Sequence, residues 1–151
     1  MKCLLIFLLC LPGVAAAQYI RVLDTATVYK DLRIGANTKQ LGLKMKFEDT
    51  DKGVNLYYVT SPDYFTNNGI KFKTVMVSTV ADTIVRVKLI ADGANGRRFL
   101  AELITKFGYP DKDETTKDGP SYSWLGERVA LNCFGGFDDY HIVFILPRLL
   151  L

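Results

Sequence analysis

The stretch from Gly69 to Pro110, GIKFKTVMVSTVADTIVRVKLIADGANGRRFLAELITKFGYP, constrains the fold more than any other. It reads as two strands, a tight turn and an amphipathic helix with a defined stop. Pairing Val80 with Thr83 across Ala81-Asp82 brings Val77 opposite Arg86 and Val75 opposite Lys88. One face then carries Phe72, Thr74, Met76 and Ser78 with Ala91, Leu89, Val87 and Val85. The other carries Lys73, Val75 and Val77 with Ile90, Lys88 and Arg86, and Lys71 lies beyond. A one-residue slip would mix the two sets, so their segregation selects this register. Ala-Asp is not a favoured two-residue turn, and a longer loop with the same pairing is an equal alternative.

After the hairpin, Phe99, Leu103 and Phe107 share one stripe, with Leu100 and Ile104 on the adjacent one. Arg97, Arg98, Glu102 and Lys106 face away, which predicts a helix over about residues 96–107. Gly108 suits a left-handed cap, and Pro110 prevents continuation. The helix is expected on the Phe72/Met76/Val87/Leu89 face. Five large apolar side chains at about 1.5–3 kcal/mol each contribute on the order of 10 kcal/mol before entropy costs.

The N-terminus has the parts of a secretory signal: Met1-Lys2, an apolar run from Cys3 to Val14, and Ala15-Ala16-Ala17 as the cleavage site. The run is too short for a hydrocarbon core that takes about 20 helical residues. Acylation at Cys10 is disfavoured by Phe7-Leu8-Leu9, since lipoprotein signals usually place a small residue before the cysteine. Cleavage after Ala17 takes 17 of the 151 residues and leaves 134, residues 18–151, enough for one α+β domain. Losing Lys2 lowers the net charge from +3 to +2, too small a balance to imply a polyanion such as nucleic acid. Cys3 and Cys10 leave as well, so Cys133 has no partner for an intramolecular disulfide. Residues 142–151 are apolar but short and interrupted by Pro147-Arg148, so they read as a last strand and not a membrane span. The expected location is secreted or periplasmic.

Tyr19 to Leu23 reads as a short strand, and Asn37 or Thr38 as the cap of one helical turn. Leu41, Leu43, Met45 and Phe47 alternate with polar residues as a half-buried strand does. A turn at Asp49–Gly53 returns the chain through Val54–Thr60. Asp111–Pro120 reads as a charged loop. Three strands follow at Tyr122–Leu125, Arg128–Phe134 and Tyr140–Leu146. The expectation is an antiparallel sheet of six or seven strands with one main helix on one face.

Gly69-Ile70-Lys71-Phe72, Lys106-Phe107-Gly108-Tyr109-Pro110 and Trp124 together resemble small secreted α+β proteins of Gram-negative bacteria, many without assigned function. A looser likeness is to the helix-on-antiparallel-sheet modules of envelope assembly factors and enzyme inhibitors. These resemblances imply a binding or inhibitor-like module and supply no catalytic residue.

Four features could carry chemistry. If Phe134 pairs with Tyr140, Cys133 lies opposite His141, a thiol beside an imidazole that Asp138 or Asp139 could orient. The plainer reading is that Cys133 continues the apolar series Val129, Leu131 and packs. Asp49-Thr50-Asp51-Lys52-Gly53 resembles the start of a calcium loop but lacks a third acidic position and the bidentate Glu, and turn chemistry accounts for it. Lys71, Lys73, Arg86 and Lys88 around Val75, Val77 and Ile90 form a basic surface with an apolar centre, suited to an acidic protein or an anionic envelope surface. The plainer reading there is a solvated face or a lysine-protected edge. Tyr57, Tyr58, Tyr64, Phe65, Tyr122 and Trp124 suit stacking on sugars or a peptide, but half-buried strands favour them anyway. No nucleotide-binding or hydrolase motif occurs, and one histidine cannot build a multi-histidine metal site. No cofactor or metal is expected. The leading reading is a non-enzymatic protein that binds a macromolecule through its sheet face or loops. The alternatives are a Cys133–His141 thiol hydrolase and a structural envelope-accessory protein.

Overall fold

The computed structural model describes residues 22–24, 28–136 and 138–146. The signal-peptide reading of residues 1–17 and the last five residues of the apolar tail lie outside them. Of the strand expected at Tyr19–Leu23, only Val22 and Leu23 are described, and with Asp24 they are helical.

The described chain is α+β. A helical turn, α1 (Thr38–Leu41), is capped by the Asn37 side chain, which accepts from the Lys39 N–H. The strands are β1 (Met45–Asp51), β2 (Val54–Val59), β3 (Thr66–Asn67), β4 (Ile70–Lys71), β5 (Thr74–Val80) and β6 (Thr83–Asp92). After the long helix α2 (Gly93–Phe107) come β7 (Lys112–Thr116), β8 (Gly119–Leu125), β9 (Ala130–Gly135) and β10 (Asp139–Ile145). Eight of them form one antiparallel sheet in the order β1-β2-β5-β6-β10-β9-β8-β7, and β3 pairs with β4 separately. That is more strands than expected. The addition to the main sheet is β7, in the segment read as a charged loop. Its KDETT sequence has no apolar residue and every position is exposed, so hydrogen bonding to β8 makes it a strand and burial does not. Leu41 and Leu43 precede β1, which instead runs on through Asp51 to a turn at Lys52-Gly53 with positive φ at both residues.

The central hairpin turns at Ala81-Asp82, both with positive φ, and Val80 pairs with Thr83 as expected. A bulge between Ser78 and Thr79 then shifts the register by one, so Val77 meets Val87 and Val75 meets Leu89. Ile84 exchanges backbone hydrogen bonds with Gly35 and Ala36, and Asp82 accepts from Thr38, which fixes the start of β6 from the side. The shift is what puts Val75, Val77, Val87 and Leu89, all 0% exposed, together. Met76 moves to the other face, where it pairs with Lys88.

The helix covers this apolar face. Asp92 caps it, accepting from the Asn95 N–H at 2.9 Å, and that contact holds its carboxyl below the usual carboxylate range. Phe99, Leu103 and Phe107 are buried, while Leu100 and Ile104 are half-buried. Gly96 lies against Tyr140, where a Cβ would meet the Tyr140 side chain at 2.3 Å, so no other residue fits there without a shift. Gly108, with φ +80°, ends the helix, and the Trp124 indole N–H donates to its carbonyl at 2.9 Å. Tyr29, Phe72 and Phe99 continue the core in edge-to-face contacts at 5.2 and 5.1 Å. Asp24 ties the N-terminal residues to the β8–β9 loop by accepting from the N–H groups of Glu127, Arg128 and Val129 at 3.0, 2.7 and 3.0 Å.

Candidate functional site

The face of the sheet opposite α2 follows from the pairing register, because antiparallel partners share a face. Among the described residues no helix lies on it. One row runs Leu56–Ser78–Arg86–Ile145–Ala130–Leu125, from β2 to β8. The next runs Tyr58–Met76–Lys88–Val143–Asn132–Ser123, and a third runs Thr74–Ile90–His141–Phe134–Ser121. Most of these side chains are half-buried, and Leu125 and Phe134 are exposed.

Two cations stand near the centre of this face. Arg86 is held by its cross-strand partner, its Nε–H donating to Ser78 Oγ at 3.0 Å. The outer N–H groups of the guanidinium have no hydrogen-bond partner among the described residues and remain available to a planar anion. Lys88 lies between Met76 and Val143. The described ion pairs, Lys39–Asp82 and Lys73–Asp139, include neither. A groove of about 320 Å³ opens beside Arg86, floored by Leu56, Ser78, Val85 and Ile145 and walled by Asp49, Asp51 and Lys52.

His141 is in the neighbouring row, its ring 6.3 Å from that of Phe134. Partial burial pushes its pKa down and the Lys88 charge adds to this, while Asp139 opposes. Its neutral form is therefore more favoured than that of a free histidine.

The basic surface expected around Val75 and Val77 is not one surface. Val75 and Val77 lie on the covered face, because the bulge reverses which β5 side chains meet Arg86 and Lys88. Lys73 sits at the β5 end in an ion pair with Asp139 at 2.5 Å, which raises its pKa, and the Lys71 N–H donates to Asn95 near the start of α2. Only Arg86 and Lys88, with Ile90, remain together on the open face. The apolar side chains beside them are Leu56, Tyr58, Met76 and Val143. Matching the apolar positions of β5 to those of β6, residue against residue, would have placed Met76 beside Lys88, whereas Leu56, Tyr58 and Val143 come from β2 and β10.

The Cys133–His141 juxtaposition does not form. Tyr140 pairs with Gly135, so His141 meets Phe134 and Cys133 meets Ile142. Cys133 is on the covered face, 0% exposed, and burial pushes its thiol up to about 12. Asp49 and Asp51 belong to β1, and Asp51 pairs with Val54, so no loop is left there to wrap a calcium ion. The aromatics disperse. Trp124 is buried, Tyr57 packs edge-on against Phe47 on the covered face, and Tyr64 donates to Asp31. Tyr58 alone of the six reaches the open face.

No protein-family model matches the chain, and no curated protein or solved structure matches it either.

Proposed function

We propose that this is a non-enzymatic binding module, secreted or periplasmic, that docks an acidic protein on the open face of its sheet. The observation that carries this reading is Arg86 and Lys88 set among half-buried apolar side chains on a face that bears no helix among the described residues. Apolar contact supplies affinity there, and the two cations select the partner's charge. The inaccessibility of Cys133 removes the support for a thiol hydrolase.

A photoreactive residue at Met76, on the open face, tests the reading in the native cell envelope against the same residue at the exposed helix position Ala101. Crosslinking to an acidic protein from Met76 alone is expected, and its loss in an Arg86→Glu/Lys88→Glu variant that remains folded. Equal crosslinking from both positions, or none lost on charge reversal, would overturn it.

A further inference from the structure

The middle row of the open face extends beyond the central strands. At one end Tyr58 pairs with Lys46 of β1, and at the other Ser123 pairs with Lys112 of β7. The complete row is Lys46–Tyr58–Met76–Lys88–Val143–Asn132–Ser123–Lys112, one residue from each of the eight strands. It holds a lysine at each end and one near its centre, and no carboxylate. The flanking rows end in acids at opposite corners, Asp49 on β1 and Glu114 on β7. None of the three lysines is in an ion pair among the described residues.

We propose that this row is a track that seats an extended acidic segment of another protein across the strands, its apolar side chains between its carboxylates. This rests on the open face being the binding surface and specifies what that surface takes. Seven inter-strand steps of about 4.8 Å put Lys46 and Lys112 about 34 Å apart along the row. That is the reach of about ten extended residues. Tyr58, Met76 and Val143 lie between the lysines and call for apolar side chains in the ligand, which a chain of bare charges does not offer. A second copy laid face to face would set lysines against lysines. Addition of a strand at an edge is opposed by Glu48, Asp49, Asp51 and a bulge on β1 and by Asp113 and Glu114 on β7. An anionic membrane would meet Asp49 and Glu114 at the corners, whereas a narrow segment passes between them.

The test uses synthetic glutamate–tyrosine peptides of about four and about twelve residues, titrated against the folded protein at low salt. The longer peptide is expected to bind at least tenfold more tightly. Lys46→Glu and Lys112→Glu are each expected to weaken it about three- to tenfold. Lys44→Glu and Lys117→Glu, at the same edges but off the row, serve as controls and should leave it unchanged. Loss of binding on Arg86→Glu/Lys88→Glu with no effect of the two edge reversals refutes the track and leaves the docking face standing. No effect of the central reversal refutes both. Equal losses at the controls reduce the binding to general charge attraction and overturn the track. Binding to phosphatidylglycerol vesicles without binding to either peptide transfers the surface to a lipid partner and also overturns it.

Discussion

The β5–β6 and β9–β10 hairpins reach the same kind of pairing by different means. On the face towards α2, β5 sets the odd-numbered Val75 and Val77 against the odd-numbered Leu89 and Val87 of β6. A two-residue turn joining Val80 to Thr83 pairs odd residues with even ones, and the bulge after the turn corrects this. On the same face β9 sets Leu131 and Cys133 against Phe144 and Ile142 of β10, with Tyr140 beyond. Here odd must meet even, and no bulge is needed. The loop closes with the Gly136 N–H on the Asp139 carbonyl at 2.7 Å, and Gly135 faces Tyr140. In both hairpins burial of the apolar set decides the register, and the connection adapts to it.

The sharpest way to break the comparison is to exchange faces in the first hairpin. Val77→Asp places an unpaired carboxylate in the buried layer between Tyr57 and Val87 and is expected to cost about 3–5 kcal/mol, the penalty for an uncompensated buried charge. Met76→Asp, one residue away, is expected to cost less than about 1 kcal/mol, since the side chain is half-buried beside Lys88. Chemical denaturation of the two variants measures the difference. A larger cost for Met76→Asp than for Val77→Asp would mean that the bulge does not exist and that the register set by the turn runs the length of the strands.

The second hairpin is tested through Cys133. Its covered position and raised pKa leave about a thousandfold less thiolate near neutrality than an ordinary cysteine has. Alkylation between pH 7 and 9 is therefore expected to proceed only on unfolding, at a rate that follows denaturant concentration. Rapid labelling of the native protein would return Cys133 to the open face beside His141.

Local signals made much of this architecture legible. The stripe of Phe99, Leu103 and Phe107, the stop at Gly108-Tyr109-Pro110 and the Val80–Thr83 turn each depend on a few adjacent residues, and each is present. The faces of the sheet were not legible from the turn, because register is a property of two strands and the bulge that resets it lies beyond the turn residues. Strand β7 was hidden for a related reason. A strand exposed on both faces has no apolar period to show, and its Lys112 became part of the open face only once β8 gave it a partner. Of the expected surface, Arg86, Lys88 and Ile90 share the open face, whereas Lys71, Lys73, Val75 and Val77 do not.

The smallest expected effect concerns His141, whose position distinguishes the two faces without perturbing either. Burial and then Lys88 hold its folded pKa below the ordinary histidine value, so the unfolded chain binds the proton first as pH falls. Its contribution to stability is thus complete above the ordinary value and is lost as pH drops through the interval down to the lowered one. His141→Gln should flatten that part of the stability–pH curve. Lys88→Met should move the His141 titration, followed by its ring resonances, upward towards the ordinary value while leaving the effect of burial in place. A titration indifferent to Lys88→Met would place the ring on the covered face and require Cys133, not Ile142, to share its register.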